Sequence, residues 1–177
     1  MESIKAMFGA SEIRPHESYL GLPSLVGHSK SNTFTNLKQR VGNKVSGWKE
    51  KLLTTAGKEI LIKAVAQAVL SYSMSSFLLP KKLCEELTSL VRQFWGGQVK
   101  DEKKLAWLSW DKLCRPKEMG SIGFRDLRMF NLALLAKQGW RLQTNSSSLF
   151  ARVFKAKYFP HCTFLEADLG RHPSYAW

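Results

Sequence analysis

Asp126–Gln143, DLRMFNLALLAKQGWRLQ, is the longest strongly apolar segment of the chain. At 100° per residue its large apolar side chains form no single stripe. Leu127, Phe130 and Leu134 fall on one side, Leu135 and Leu142 on a second, Met129 and Trp140 on a third. A helix apolar nearly all round is expected to be buried. Its 18 residues at ~1.5 Å each cross a small domain. Arg128, Asn131, Lys137, Gln138 and Arg141 make it too polar to span a membrane. The expectation is a central packing helix, capped by Asp126 after the turn-prone Met119–Gly123.

Working outward, the rest of the 177-residue chain reads as mostly helical. Phe34, Leu37, Val41, Val45 and Trp48 recur at helical spacing, which predicts a helix over Thr33–Gly47 with Lys38, Arg40 and Lys44 on its outer face. Gly42 and Gly47 are expected to weaken its far end. A second helix is predicted from Ala56 to Ser76. Ile60, Leu61, Ala64, Val65, Ala68 and Tyr72 form its apolar side, opposite Glu59, Lys63 and Gln67. Glu59 and Lys63 stand at i, i+4 and read as an intrahelical ion pair. Leu79-Pro80 breaks the chain, and Pro80 suits the first turn of a third helix, Lys81–Trp95, stopped by Gly96-Gly97.

Gln98–Lys104 reads as a polar hinge. Leu105–Trp110 and Ile122–Phe124 read as short extended pieces, with a brief helix over Trp110–Cys114 between them. After the central helix, Asn145–Ser148 caps a last helix, Leu149–Tyr158. It is expected to bury Leu149, Phe150 and Val153 and to show Arg152 and Lys155 to water. Tyr19–Pro23 reads as an edge strand and Gly27–Asn32 as a loop. The fold class is mainly α: a bundle of about five helices with one or two short strands. Its parts are an extended lead-in (1–32), a helical region (33–97) and a connector (98–177) around the central helix 126–143. The abrupt close on Trp177 suggests a packing partner beyond it.

Charge is the main functional clue. There are 27 Lys+Arg against 14 Asp+Glu, a net charge of +13. The excess is spread: Lys30–Lys63 holds eight basic and two acidic residues, Lys103–Lys157 twelve and three. Such a chain suits a polyanion, nucleic acid first and an acidic membrane second. The bland alternative is a basic, merely soluble surface. With 44% hydrophobic residues and six tryptophans the chain can bury a core. Three scattered cysteines, Cys84, Cys114 and Cys162, fit a reducing compartment without a disulfide framework. The first twenty residues lack an apolar signal segment, and Glu2, Glu12 and Glu17 argue against a transit peptide. An intracellular site, nucleus or mitochondrion, is the expectation, with no membrane partner.

Catalytic constellations are missing from the sequence. A polymerase or nuclease needs clustered carboxylates to hold Mg²⁺. The adjacent acidic pairs are Glu85-Glu86, on a helix face, and Asp101-Glu102, in a Lys-rich loop. His161-Cys162 with His172 does not fall at zinc spacing. No P-loop, dinucleotide glycine pattern or nucleophile elbow occurs. No metal, cofactor or catalytic residue is therefore assigned. The candidate phosphate contacts are Lys38, Lys44, Lys49, Lys51, Lys58, Lys63, Arg125, Lys137 and Arg141. Trp48, Trp95, Trp107, Trp110 and Trp140 are expected in the core.

Several blocks carry a resemblance: Tyr19-Leu20-Gly21-Leu22-Pro23, Gly47-Trp48-Lys49, Ala56-Gly57-Lys58-Glu59, Phe94-Trp95-Gly96-Gly97, Trp107-Leu108-Ser109-Trp110, Leu113-Cys114-Arg115-Pro116-Lys117, Gly123-Phe124-Arg125-Asp126-Leu127, Asn131–Gln138, Ala156–Pro160 and Pro173–Trp177. In this order they resemble the segment after the polymerase palm in plant LINE-type (non-LTR) retrotransposon reverse transcriptases, over residues 8–177. Similar stretches occur as stand-alone reading frames in plant mitochondrial genomes. The resemblance implies a thumb and connector without catalysis, since the Tyr-x-Asp-Asp palm motif and the RNase H domain of such polyproteins lie outside it and no Asp-Asp occurs here. It implies the backbone of RNA or an RNA–DNA duplex as partner, with a palm or other polyprotein domain as neighbour. Gly42 and Asn43 depart from the bulkier or basic residues usual in such sequences. The alternatives are a structural packing module or a functionless relic.

Overall fold

The computed structural model describes residues 18–19, 22–23, 34–49, 53–97 and 108–168. The chain is mainly α. β1 (Ser18–Tyr19) and β2 (Leu22–Pro23) pair antiparallel, with Tyr19 opposite Leu22. α1 (Thr35–Lys49) follows. Phe34, Leu37, Val41 and Val45 are buried along it, while Lys38, Arg40 and Lys44 stand outside. Gly42 and Gly47 do not end this helix early. It runs past both, because its inner stripe supplies the packing that glycine propensity withholds.

α2 (Thr55–Leu61), a π-helical stretch (Ile62–Ala66) and α3 (Gln67–Ser76) form one continuous rod. Thr54 caps it by accepting the N–H of Gly57 at 3.2 Å. The rod buries Ile62, Ala66, Gln67, Leu70, Ser73 and Met74. The apolar side expected from sequence is only partly the buried one: Leu61 packs against the core and Val65 is half-buried, but Ile60 and Tyr72 are 64% and 46% exposed, and Ala64 and Ala68 are exposed with them. Both stripes are apolar and lie two residues, or 200°, apart. Periodicity cannot choose between them; the side that meets α1, α4 and α6 is the one buried. Gln67, expected outside, lies on that side and is buried.

α4 (Lys81–Trp95) has the bounds the sequence predicts, with Pro80 at the N-cap rather than inside the first turn. It buries Leu83, Cys84, Leu87, Val91 and Phe94. Gly97, at φ 66°, turns the chain away in the left-handed region. Phe34 packs on Phe77 at 5.8 Å, Lys38 pairs with Glu86 at 2.8 Å and Trp48 packs on Phe94 at 5.4 Å, so α1 and α4 run parallel.

α5 (Trp110–Leu113) and a 3₁₀ turn (Lys117–Met119) lead to Phe124. The N–H of Phe124 bonds the carbonyl of Leu113 at 3.0 Å, and Ser121 Oγ bonds that of Lys112. Ile122–Phe124 is not a strand. Of Leu105–Trp110, residues 105–107 lie outside the described region, and Leu108 and Ser109 are irregular. Phe124 meets Trp95 edge-on at 5.1 Å and stacks on Trp110 at 5.2 Å. One buried cluster joins α1, the rod, α4, α5, Phe124 and Leu127.

α6 (Leu127–Thr144) is the central helix, and Asp126 caps it by accepting the N–H of Met129 at 2.8 Å. It is not buried all round. Leu127, Asn131 and Leu142 are buried, whereas Met129, Leu132 and Trp140 are exposed. The rod and α4 cover one side only. α7 (Leu149–Tyr158), capped by Ser148 on Ala151, packs against the second half of α6. It buries Ala151 and exposes Leu149 and Val153, the reverse of the expectation; Arg152 and Lys155 do face water. Phe150, Phe154 and Tyr158, all half-buried, follow one another along α7 in tilted ring contacts, with centroids 4.5 and 5.4 Å apart. A 3₁₀ turn (Phe164–Glu166) closes the described chain, with the Phe164 ring against Gly139 of α6. The expected hinge Gln98–Lys104 and the terminal Trp177 lie outside the described residues.

Candidate nucleic-acid interface

Between Leu127 and Leu165 the chain contains no acidic residue. It carries six cations there: Arg128, Lys137 and Arg141 on α6 and Arg152, Lys155 and Lys157 on α7. All six are exposed. Among the described residues none of them forms an ion pair with a carboxylate. Packing of the two helices therefore gives a hairpin of uncompensated positive charge. Local contacts order part of it. Arg141 bonds Gln138 Oε1 at 3.0 Å and lies 5.7 Å from the Phe150 ring, across the helix pair. Lys157 stands 5.0 Å from the ring of Tyr158.

The residues singled out from sequence fall into different environments. Lys137 and Arg141 come together on the hairpin at i, i+4. Arg125, just before it, is exposed and stacks on the Phe130 ring at 4.3 Å. Lys38 and Lys44 lie on the outer face of α1 with Arg40, and Lys38 is paired with Glu86. Lys58 is half-buried beside Gly97. Lys63 is committed elsewhere: its Nζ bonds Glu59 Oε1 at 2.8 Å and the carbonyl of Ile122. The Lys49 side chain and Lys51 lie outside the described residues.

Arg152, Lys155 and Lys157 join Lys137 and Arg141 only in the structure, although the acid-free run that contains them is visible in the sequence. Trp140, expected in the core, is 65% exposed. Trp48 and Trp95 are half-buried and Trp110 is buried; Trp107 lies outside the described residues.

The acidic residues do not gather. Among the described residues no three His, Cys, Asp or Glu side chains converge as a metal site. Glu59 lies between Lys63 and Lys117, the latter at 3.2 Å, and their hydrogen bonds hold its carboxyl below the usual range. Glu86 is lowered by Lys38 in the same way. Burial, reinforced by Asp126 and Asp111, pushes the Cys114 thiol up to about 11, and burial raises Cys84. Both are thus protonated near neutral pH and poor nucleophiles. Among the described residues no helix is long and apolar enough to cross a membrane.

Fold and surface define a mainly α, strongly basic module whose exposed charge lies on helix faces. No family model matches the sequence. The chain is 46% identical over 107 residues to the "Uncharacterized mitochondrial protein AtMg00310" of Arabidopsis thaliana, covering 60% of this chain and 70% of that one. It belongs to the same family as that mitochondrial protein. It is also 38% identical over 137 residues to the Arabidopsis thaliana protein named "Putative ribonuclease H protein At1g65750". That match covers 77% of this chain but only 22% of the longer relative. The relatives are consistent with a plant protein of retroelement origin.

Proposed function

We propose that the chain is a non-catalytic piece of a LINE-type reverse transcriptase that binds the backbone of nucleic acid, an RNA–DNA duplex above all, without regard to sequence. The observation that carries this reading is the hairpin α6–α7, with six exposed cations and no acidic residue from Leu127 to Leu165. Exposed cations on helices suit phosphates, whose contacts position a duplex but read no bases. The outer face of α1 adds Arg40 and Lys44. The order of sequence blocks shared with the post-palm segment of such polymerases supports the origin, as does a match to part of a longer protein carrying a ribonuclease H name. Dispersed carboxylates support the absence of catalysis: Glu59 and Glu86 are each neutralised by lysines.

Charge reversal tests the reading. Arg152→Glu with Lys155→Glu should weaken binding to an RNA–DNA hybrid by at least tenfold at low salt, at unchanged helicity. Affinity equal to the parent's would sink it.

A second reading rests on the rod. Ile60, Ala64, Ala68 and Tyr72 form an exposed apolar line, and in a longer protein that line packs on a neighbouring domain. It predicts association or poor solubility of the isolated chain; a clean monomer in light scattering argues against it.

A further inference from the structure

On α6 the side opposite Asn131 is turned outward. Met129, Ala133, Ala136 and Trp140 follow one another along it at i, i+4, i+7 and i+11, and all are exposed. Trp140 is the one large ring on this line. Its helical neighbours at i−4, i+3 and i+4 are Ala136, Gln143 and Thr144, and Thr144 turns its hydroxyl back to the Trp140 carbonyl at 2.9 Å. With Lys137 at i−3, none of these neighbours is aromatic or aliphatic beyond alanine, and the indole is 65% exposed. Lys137, one turn before, and Arg141, next in sequence, flank it, and no acidic residue lies within the hairpin.

From this arrangement we infer that Trp140 is a stacking platform for an unpaired base, so that α6 takes single-stranded nucleic acid. The inference rests on the polyanion-binding reading above and adds an unpaired strand to the duplex as a ligand. A largely exposed indole with Lys137 one turn before it and Arg141 next in sequence suits a base whose own phosphates lie near these cations. A duplex offers no such base, because its ring faces are already stacked within the helix. Charge complementarity selects this occupant over a protein: an ordinary apolar partner covers the ring and leaves the flanking cations unmatched.

The test uses the full chain and three fluorescent probes: an oligothymidylate, the same strand with abasic sites in place of bases, and an RNA–DNA hybrid. The expected result is tighter binding of oligothymidylate than of the abasic strand. Trp140→Ala should weaken oligothymidylate about tenfold, from the usual strength of base–aromatic stacking, with Trp140→Phe in between. Neither change should move the abasic strand or the hybrid by more than about twofold. Circular dichroism checks the fold, which an exposed side chain should not disturb. Equal affinity for the base-bearing and abasic strands, or no effect of Trp140→Ala on the former, overturns the inference while leaving backbone binding intact. A chain that self-associates until Trp140 is replaced also overturns it, in favour of a second copy on this face. Failure to bind any of the three probes overturns the backbone reading as well.

Discussion

Asn131 holds Leu79 across 52 positions of sequence: its Oδ1 accepts the backbone N–H of Leu79 at 2.8 Å. The same amide donates through Nδ2 to the carbonyls of Met74, at 2.7 Å, and Phe77, at 2.9 Å. One side chain, 1% exposed, thus binds three backbone groups where α3 ends and the chain turns toward α4. This bond set fixes α6 to the rod, and with it the direction in which the cationic hairpin projects.

Replacing Asn131 by Ala should cost about 2–4 kcal/mol, because buried backbone groups lose partners and a small cavity opens. Asn131→Asp keeps an acceptor for Leu79 and loses both donors, so it should be as damaging. Urea unfolding followed by far-ultraviolet circular dichroism measures both; a loss under about 0.5 kcal/mol, the scale of surface changes, would contradict the account.

Much of the fold is legible in the sequence, and Asn131 shows where legibility stops. α4 has a single apolar stripe, Leu83, Leu87, Val91 and Phe94, and a double glycine behind it, so pattern alone gives its bounds. Asp126 and Ser148 are readable caps because N-capping is local chemistry. The rod offers two apolar stripes, and the choice depends on α1 and α4, which periodicity does not record. In α6, Asn131 reads as a polar interruption, yet it is the most buried position of that helix, since its partners lie more than fifty residues away. Size and aromaticity usually place tryptophan in the core, whereas Trp140 is exposed because, among the described residues, no element covers that side of α6. The charge of the hairpin is readable as an acid-free run. That the cations of α6 and α7 come into one hairpin depends on α7 folding back on α6.

Glu59 ties the rod to the loop before α6 through Lys63 and Lys117. Its carboxyl is held below its ordinary value of 4.5 by those two side chains. Because the folded value is the lower one, the contribution to stability is fully present above the ordinary value and is lost as pH falls through the folded one. Glu59→Gln should therefore flatten part of the acid limb of stability and lower stability modestly at neutral pH. It should also speed amide exchange over Arg115–Phe124. Identical acid limbs for the two proteins would contradict the assignment.

Thiol reactivity should separate the cysteines. Cys162 is exposed, whereas Cys84 is buried and Cys114 half-buried with its thiol raised to about 11. Iodoacetamide at pH 8 should modify Cys162 first, with Cys84 and Cys114 following only on unfolding. Peptide mapping by mass spectrometry reads the order. Rapid labelling of Cys114 in the folded chain would mean that the packing around α5 is wrong.

The most direct test of backbone binding is the affinity of the purified chain for a fluorescent RNA–DNA hybrid across a salt series. Contacts from the hairpin predict a steep linear fall of log affinity with log salt. The slope should become shallower by about one unit for each of Lys137, Arg152 and Lys155 replaced by Ala. A flat dependence, or slopes unchanged by these replacements, would contradict the claim that α6 and α7 hold a nucleic-acid backbone.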